Sequence, residues 1–435
     1  MNPVPLAGLG TSPAFLNLAG GTLRVTGAAL TTNLSAALIN ASTLDTNGLA
    51  ALWTGVLSGP GALVKTGAGT LTLAAANTYA GGTTITAGTL QLGNGATAGS
   101  IVGNVTNDGT VAFNRTDDST FAGIISGGGG VVLAGGILRL AQAQTYTGLT
   151  QVNAGYFVLP TTVPRGLSAS TLVTVASGAV LDLSNQPQTV AGLVGAGTVY
   201  SYGGNSGSLE LAVATGQAQT FSGALGGAFP DFAITKSGLG TLTLAGANTY
   251  TGPTTVTAGT LRVNGSLATT PVAVASGATL GGVGTLGGLA TFAAGAHLAP
   301  GNSPGTITFN AGLVLQSGSL LDFELGTASD QIALTGGSLT GPGMTGGVTL
   351  NLSDSGGFAP GTYTLINYTS ATLPTAYAAD SFALGTTIPG YTYNLALSGN
   401  SLQLTASAIP EPATYAALLG AAALALAAYR RRQKK

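Results

Sequence analysis

The chain of 435 residues is 45% hydrophobic and only 6% charged, with 71 glycines and 18 prolines. So much apolar side chain excludes a solvated disordered polymer, and the lack of cysteine excludes disulfide staples and thiolate metal sites. The formal net charge is −1, but five of the 12 basic residues crowd into the last six positions; the body before them is acidic, and no nucleic-acid partner is expected.

Taken in chain order, Met1-Asn2-Pro3-Val4-Pro5 offers neither a basic start nor a following apolar run, so no secretory signal is read here. An exported form would need a start upstream of, or different from, this one. Strand-like runs begin at Phe15-Leu16-Asn17-Leu18 and Thr22-Leu23-Arg24-Val25. Trp53 sits in Ala51-Leu52-Trp53-Thr54, where it is expected in the core or at an end cap rather than as a sugar platform.

Residues 65–92, KTGAGTLTLAAANTYAGGTTITAGTLQL, recur at 236–263 as KSGLGTLTLAGANTYTGPTTVTAGTLRV, and a decayed copy occupies 137–159. Leu71 and Leu73 alternate with Thr70 and Thr72, and Leu90 and Leu92 with Thr89 and Gln91, which is the period of two of a strand with one apolar face. Between them, Asn77-Thr78-Tyr79, Gly81-Gly82 and Ala87-Gly88 supply turn chemistry every few residues. From Leu71 to Leu90, from Leu242 to Leu261 and from Leu138 to Phe157 the spacing is the same, about 20 residues, one coil of a strand solenoid. The expected fold is all-β: a right-handed parallel β-helix with Leu71, Leu73, Leu90, Leu242, Leu244 and Leu261 pointing inward. Lys65 and Lys236 recur at one repeat position and are expected as solvated corner lysines that discourage edge pairing.

Each copy is preceded by a glycine-rich lead-in such as Gly55-Val56-Leu57-Ser58-Gly59-Pro60-Gly61. With Lys-x-Gly-x-Gly-Thr-Leu-x-Leu, Asn-Thr-Tyr-x-Gly and Ala-Gly-Thr-Leu following in order, the chain resembles the autotransporter-associated β-strand repeat. Two copies match closely; the copy at 137–159 lacks the lysine and has Gln144 for the asparagine. The resemblance implies an exported, surface-associated or matrix β-solenoid of structural or adhesive function, with exopolysaccharide or cell-surface partners.

Short alternating strands continue through 171–200, and 276–309 resembles the closing rungs of the same repeat, ending in the proline-rich corner Ala299-Pro300-Gly301-Asn302-Ser303-Pro304-Gly305, a turn rather than a phosphate loop. The repeat region is thus expected over 1–315, with a β-rich cap over 316–408 to cover the last open edge. The tail, 409–435, differs in kind: Pro410, Glu411 and Pro412 precede an alanine- and leucine-rich helix at 413–429, which Arg430, Arg431 and Arg432 close. At roughly 25 Å this helix is at the short end for a bilayer crossing. The order of the three parts resembles the PEP-CTERM sorting signal, which implies an exosortase-type processing protease as partner, transient anchoring in the inner membrane through the helix, and export to the cell surface.

Chemistry is sparse. His297 is the sole histidine and is expected as an exposed or corner residue, without a nucleophile to activate. Asp322 and Glu324 would share one strand face, and Asp117-Asp118 would sit in a turn; paired carboxylates of this kind are what a polysaccharide-cleaving solenoid would need. A basic neighbour would strengthen that reading, and none is evident in sequence. No Gly-Gly-x-Gly-x-Asp calcium repeat occurs, and the glycine runs do not open helices, so neither calcium nor phosphate is expected. The chain therefore reads as a non-enzyme without cofactor or metal, a polysaccharide-modifying β-helix hydrolase or lyase being the alternative.

Overall fold

The computed structural model describes residues 4–5, 15–162, 165–203, 207–227, 229–341, 347–368, 379–410 and 412–433. Its architecture follows from the period of two. Each coil lays its alternating strands on those of the coil before, in register, so that like stacks on like. Ala51, Leu71, Leu90, Val111 and Val131 are successive Cα partners in parallel strands. Gln219, Leu242, Leu261, Leu280 and Leu298 form the same column further along. All three pairs picked out by spacing, Leu71 with Leu90, Leu242 with Leu261 and Leu138 with Phe157, are direct partners. The whole is an all-β solenoid of about 15 parallel turns with one C-terminal helix.

A coil turns three corners between three walls: Thr254–Val256, Thr260–Val263 and Ser266–Leu267 follow one another in sequence in three different sheets, and Val272–Val274 returns to the first. One side of the stacked strands faces the lumen, as in Thr70–Leu73 and Thr241–Leu244. Leu71, Leu73, Leu90, Leu242, Leu244 and Leu261 are all buried there, as their spacing requires. At about 1.5–3 kcal/mol for each such side chain, the apolar column drives stacking. Trp53 belongs to it, its indole N–H donating to Leu34 O at 2.7 Å.

Parallel pairing continues beyond residue 315, from Ser319–Gly326 to Val348–Gly356 and on to Phe382–Leu384. Among the described residues antiparallel strands enter only at the end, where Gly361–Asn367 and Tyr391–Ser398 flank Ser401–Ala408. Phe358 stacks on Tyr363 at 5.0 Å and meets Tyr391 edge-on at 4.8 Å, closing that end with aromatic surface.

The helix α1 (Pro412–Arg432) begins at Pro412 and carries Arg430, Arg431 and Arg432 in its last turn, where basic groups complement the helix dipole. Glu411, Lys434 and Lys435 lie outside the described residues. Among the described residues no helix is long and apolar enough to cross a membrane, so the span expected at 413–429 is not found. The stretch is mostly alanine, with leucine only at Leu418, Leu419, Leu424 and Leu426.

Candidate functional site: repeat corners and a polar cleft

Residues retained across the copies meet at the corners. Lys65 and Lys236 are not solvated corner lysines; both are fully buried. Period two running from Leu63 through Lys65 turns the side chain inward, and the ammonium is met by a ring of oxygens. Lys65 Nζ donates to Thr66 O at 2.8 Å, Gly67 O at 2.7 Å, Ala87 O at 3.0 Å and Thr46 Oγ1 at 3.1 Å. Lys236 Nζ repeats this with Ser237 O at 2.9 Å, Gly238 O at 2.8 Å and Ala258 O at 3.1 Å. Burial pulls both amines down to about 8, while the acceptor ring suits the three donors of the charged form. Each lysine thereby ties its own corner to the corner of the next coil.

A second retained position acts alike. Asn77 takes the Leu57 N–H on its carbonyl oxygen and donates to Ala75 O and Ser100 O; Asn248 does the same with Leu225, Gly246 and Ser266. Gln144 fills the place in the decayed copy, accepting from Ile125 N and donating to Gly123 O and Gln142 O. Tyr79, Tyr146 and Tyr250 are buried, their phenols 2.6–2.7 Å from the hydroxyls of Thr83, Thr150 and Thr254. The Tyr-x-Gly-x-Thr spacing was there to be read in the sequence.

The remaining chemistry gathers on the outer face near the C-terminal end. Register places Arg262, Gly281 and Ala299 side by side on three adjacent strands. Two small residues next to an arginine leave a hollow. Beyond it, Asp322 pairs with Asn351 and Glu324 with Ser353, and the corner 300–305 forms a third wall. The resulting cleft holds about 420 Å³ and is lined by Arg262, Asp322, Glu324, Asn351, Asn302 and Ser303, among others. Asp330 pins the corner to the strand, accepting from Gly305 N and Glu324 N, each at 2.8 Å. Burial pushes its carboxyl up to about 6 against these two donors. Ser303 holds φ at +97°, a strained conformation on the rim.

Several sequence expectations change here. His297 is no isolated corner residue: it lies in the strand His297–Pro300, half-buried, with Nδ1 2.7 Å from Asp322 Oδ2. Asp322 and Glu324 do share one face, and the arginine that sequence proximity fails to reveal is Arg262, which lines the same cleft from the far side of the strands carrying Gly281 and Ala299. Asp117 and Asp118 are not in a turn but within the strand Thr110–Phe121, paired with Arg115 at 2.6 Å and Arg139 at 2.8 Å, so they are occupied in ion pairs. Among the described residues no group of three His, Asp or Glu could hold a metal ion.

Fold and corners define the class of protein first: a stacked-repeat β-solenoid. The passenger-associated-transport-repeat matches residues 63–92, 134–159 and 234–263, the three copies that the sequence itself displays. Over 122 residues the chain is 38% identical to the BmaC autotransporter adhesin of Brucella suis biovar 1 (strain 1330); this covers 28% of the chain and 4% of that much longer adhesin. The Hap adhesin of Haemophilus influenzae aligns with 90% of this chain and 64% of its own, at 12% identity and a TM-score of 0.23, too loose a superposition to carry an argument.

Proposed function

We propose that the chain is the extended body of a surface-associated adhesive or structural protein, and not an enzyme. The observation that carries this is what the repeat retains. Leucine column, lysine cage and buried amide serve the joint between coils and the tyrosine–threonine pair braces the corner within each, so repetition builds length and a neutral threonine-rich exterior. The similarity to a segment of an autotransporter adhesin supports the same reading. The test is to express the chain in its host with an epitope in an exposed corner and to label intact cells. Surface labelling together with loss of attachment on deletion is expected, and protein confined to the interior overturns the reading.

Its tail is, on this proposal, a processing signal: Pro410, Glu411 and Pro412, then α1, then Arg430, Arg431 and Arg432, recognised by an exosortase-type protease. The described part of α1 exposes Leu419, Leu424 and Leu426, so the solenoid gains little from keeping it. Intact-mass measurement of protein recovered from the host surface will give a chain ending near Pro410. Recovery through Lys435 removes the processing reading.

A further inference from the structure

The geometry points to the cleft between Arg262 and Asp322 as a binding site for an acidic sugar, a uronic-acid unit of a polysaccharide. This rests on the adhesive reading and names a ligand class for it. The cleft is built rather than incidental. Gly281 and Ala299 form its floor, and a Cβ on Gly281 would come within 2.4 Å of Ala299 O, so the floor cannot rise there without moving backbone. The rim is fixed by Asp330 and by an antiparallel bridge between Gly282 and Gly301. Its volume falls within the usual range of small-molecule sites, about 300–1,000 Å³.

The polar groups select among ligands. Among the described residues Arg262 has no carboxylate within ion-pair distance, so one guanidinium is free to take an anion by two parallel N–H donors. The opposite wall carries Glu324, which keeps one carboxylate oxygen without a partner, beside Asp322 and Asn351, whose oxygens each accept one bond already and have a second lone pair left for a ring hydroxyl. One cation among several carboxylates repels a phosphate-rich ligand yet admits a singly charged carboxylate that also offers many hydroxyl donors. A divalent cation fits poorly, because both oxygens of Asp322 are engaged, by His297 and Asn351, and both of Asp330 by backbone N–H groups. A neutral sugar would leave Arg262 unpaired, and among the described residues no exposed aromatic ring lines the cleft to stack on one.

The experiment is calorimetric titration of the purified full chain with trigalacturonate and, in parallel, with a neutral galactose trimer. Wild type binds trigalacturonate more tightly than the neutral trimer. Arg262→Gln, an outward substitution, weakens trigalacturonate by roughly tenfold or more, the worth of one charge-assisted contact, and leaves the neutral trimer unchanged. Ala299→Leu fills the floor and removes binding of both; should that variant unfold, Arg262→Gln alone decides. No binding by wild type at millimolar probe, or equal binding by wild type and Arg262→Gln, overturns the site. These outcomes are read in solution and do not depend on where the cell places the protein, so failure of the site and failure of the surface reading are separate results. Shortened probe recovered after titration overturns the non-enzymatic reading while leaving the binding site in place.

Discussion

A lysine in the lumen of an apolar stack costs desolvation, and the solenoid offsets that cost with main-chain oxygens that the corners would otherwise leave unpaired. Lys236→Met keeps the stem but strips the donors from Ser237 O, Gly238 O and Ala258 O; a loss of about 2–3 kcal/mol is expected, read as a lower urea midpoint at pH 7. The pH dependence follows from two opposed sets of buried groups. Lys65 and Lys236 titrate near 8 when folded and at about 10.4 when unfolded. Between those values the unfolded chain binds more protons, so the penalty of the buried charge is relieved and stability rises with pH. Tyr79, Tyr146 and Tyr250 are pushed by burial well above the usual phenol range. Their contribution is complete below about 10, the unfolded phenol value, and is lost as the pH climbs beyond it. Urea midpoints taken from pH 7 to 11 will rise past 8 and turn down above about 10; in Lys65→Met/Lys236→Met the rise disappears and the fall remains.

At the scale of the element, the corner between strands is where coils approach most closely. Gly259 has φ +63°, and a Cβ there would lie 2.5 Å from both Gly238 O and Gly240 O of the coil beneath. Gly277 has a similar φ of +74° with open space around it. Gly277→Ala is therefore expected to cost about 1 kcal/mol from backbone strain alone, and Gly259→Ala clearly more, because backbone must move as well. Comparing the two thermal midpoints separates conformational strain from stacking distance. The Ala-Gly step was visible in every copy as turn chemistry. That it is also a point of close approach between coils was not, because the obstructing carbonyls come from the preceding coil.

For the molecule as a whole, each coil contacts only its neighbours, so the lumen is one continuous column without a centre. Leu242 lies between Gln219 and Leu261 in that column. Leu242→Asp buries an unpaired charge at a cost of about 3–5 kcal/mol and interrupts nearest-neighbour coupling, so a single unfolding transition is expected to split in two. An unchanged single transition would mean that the column is not the cooperative unit.

By itself the sequence determined the strands, their inward leucines and which coil lies on which, because period two and a repeat of constant length act locally and propagate by stacking. It also held, unread, the inward turn of Lys65 two residues after Leu63, and the tyrosine–threonine pair four residues apart. Only the tertiary structure decided the chemistry between coils. Arg115 and Arg139 hold Asp117 and Asp118 in ion pairs, whereas Arg262 stands across a hollow from Asp322 because register, not chain proximity, sets which outward side chains are neighbours. Outward positions carry no apolar pattern to mark them, so their meeting is fixed by how the coils stack and becomes visible only when they do.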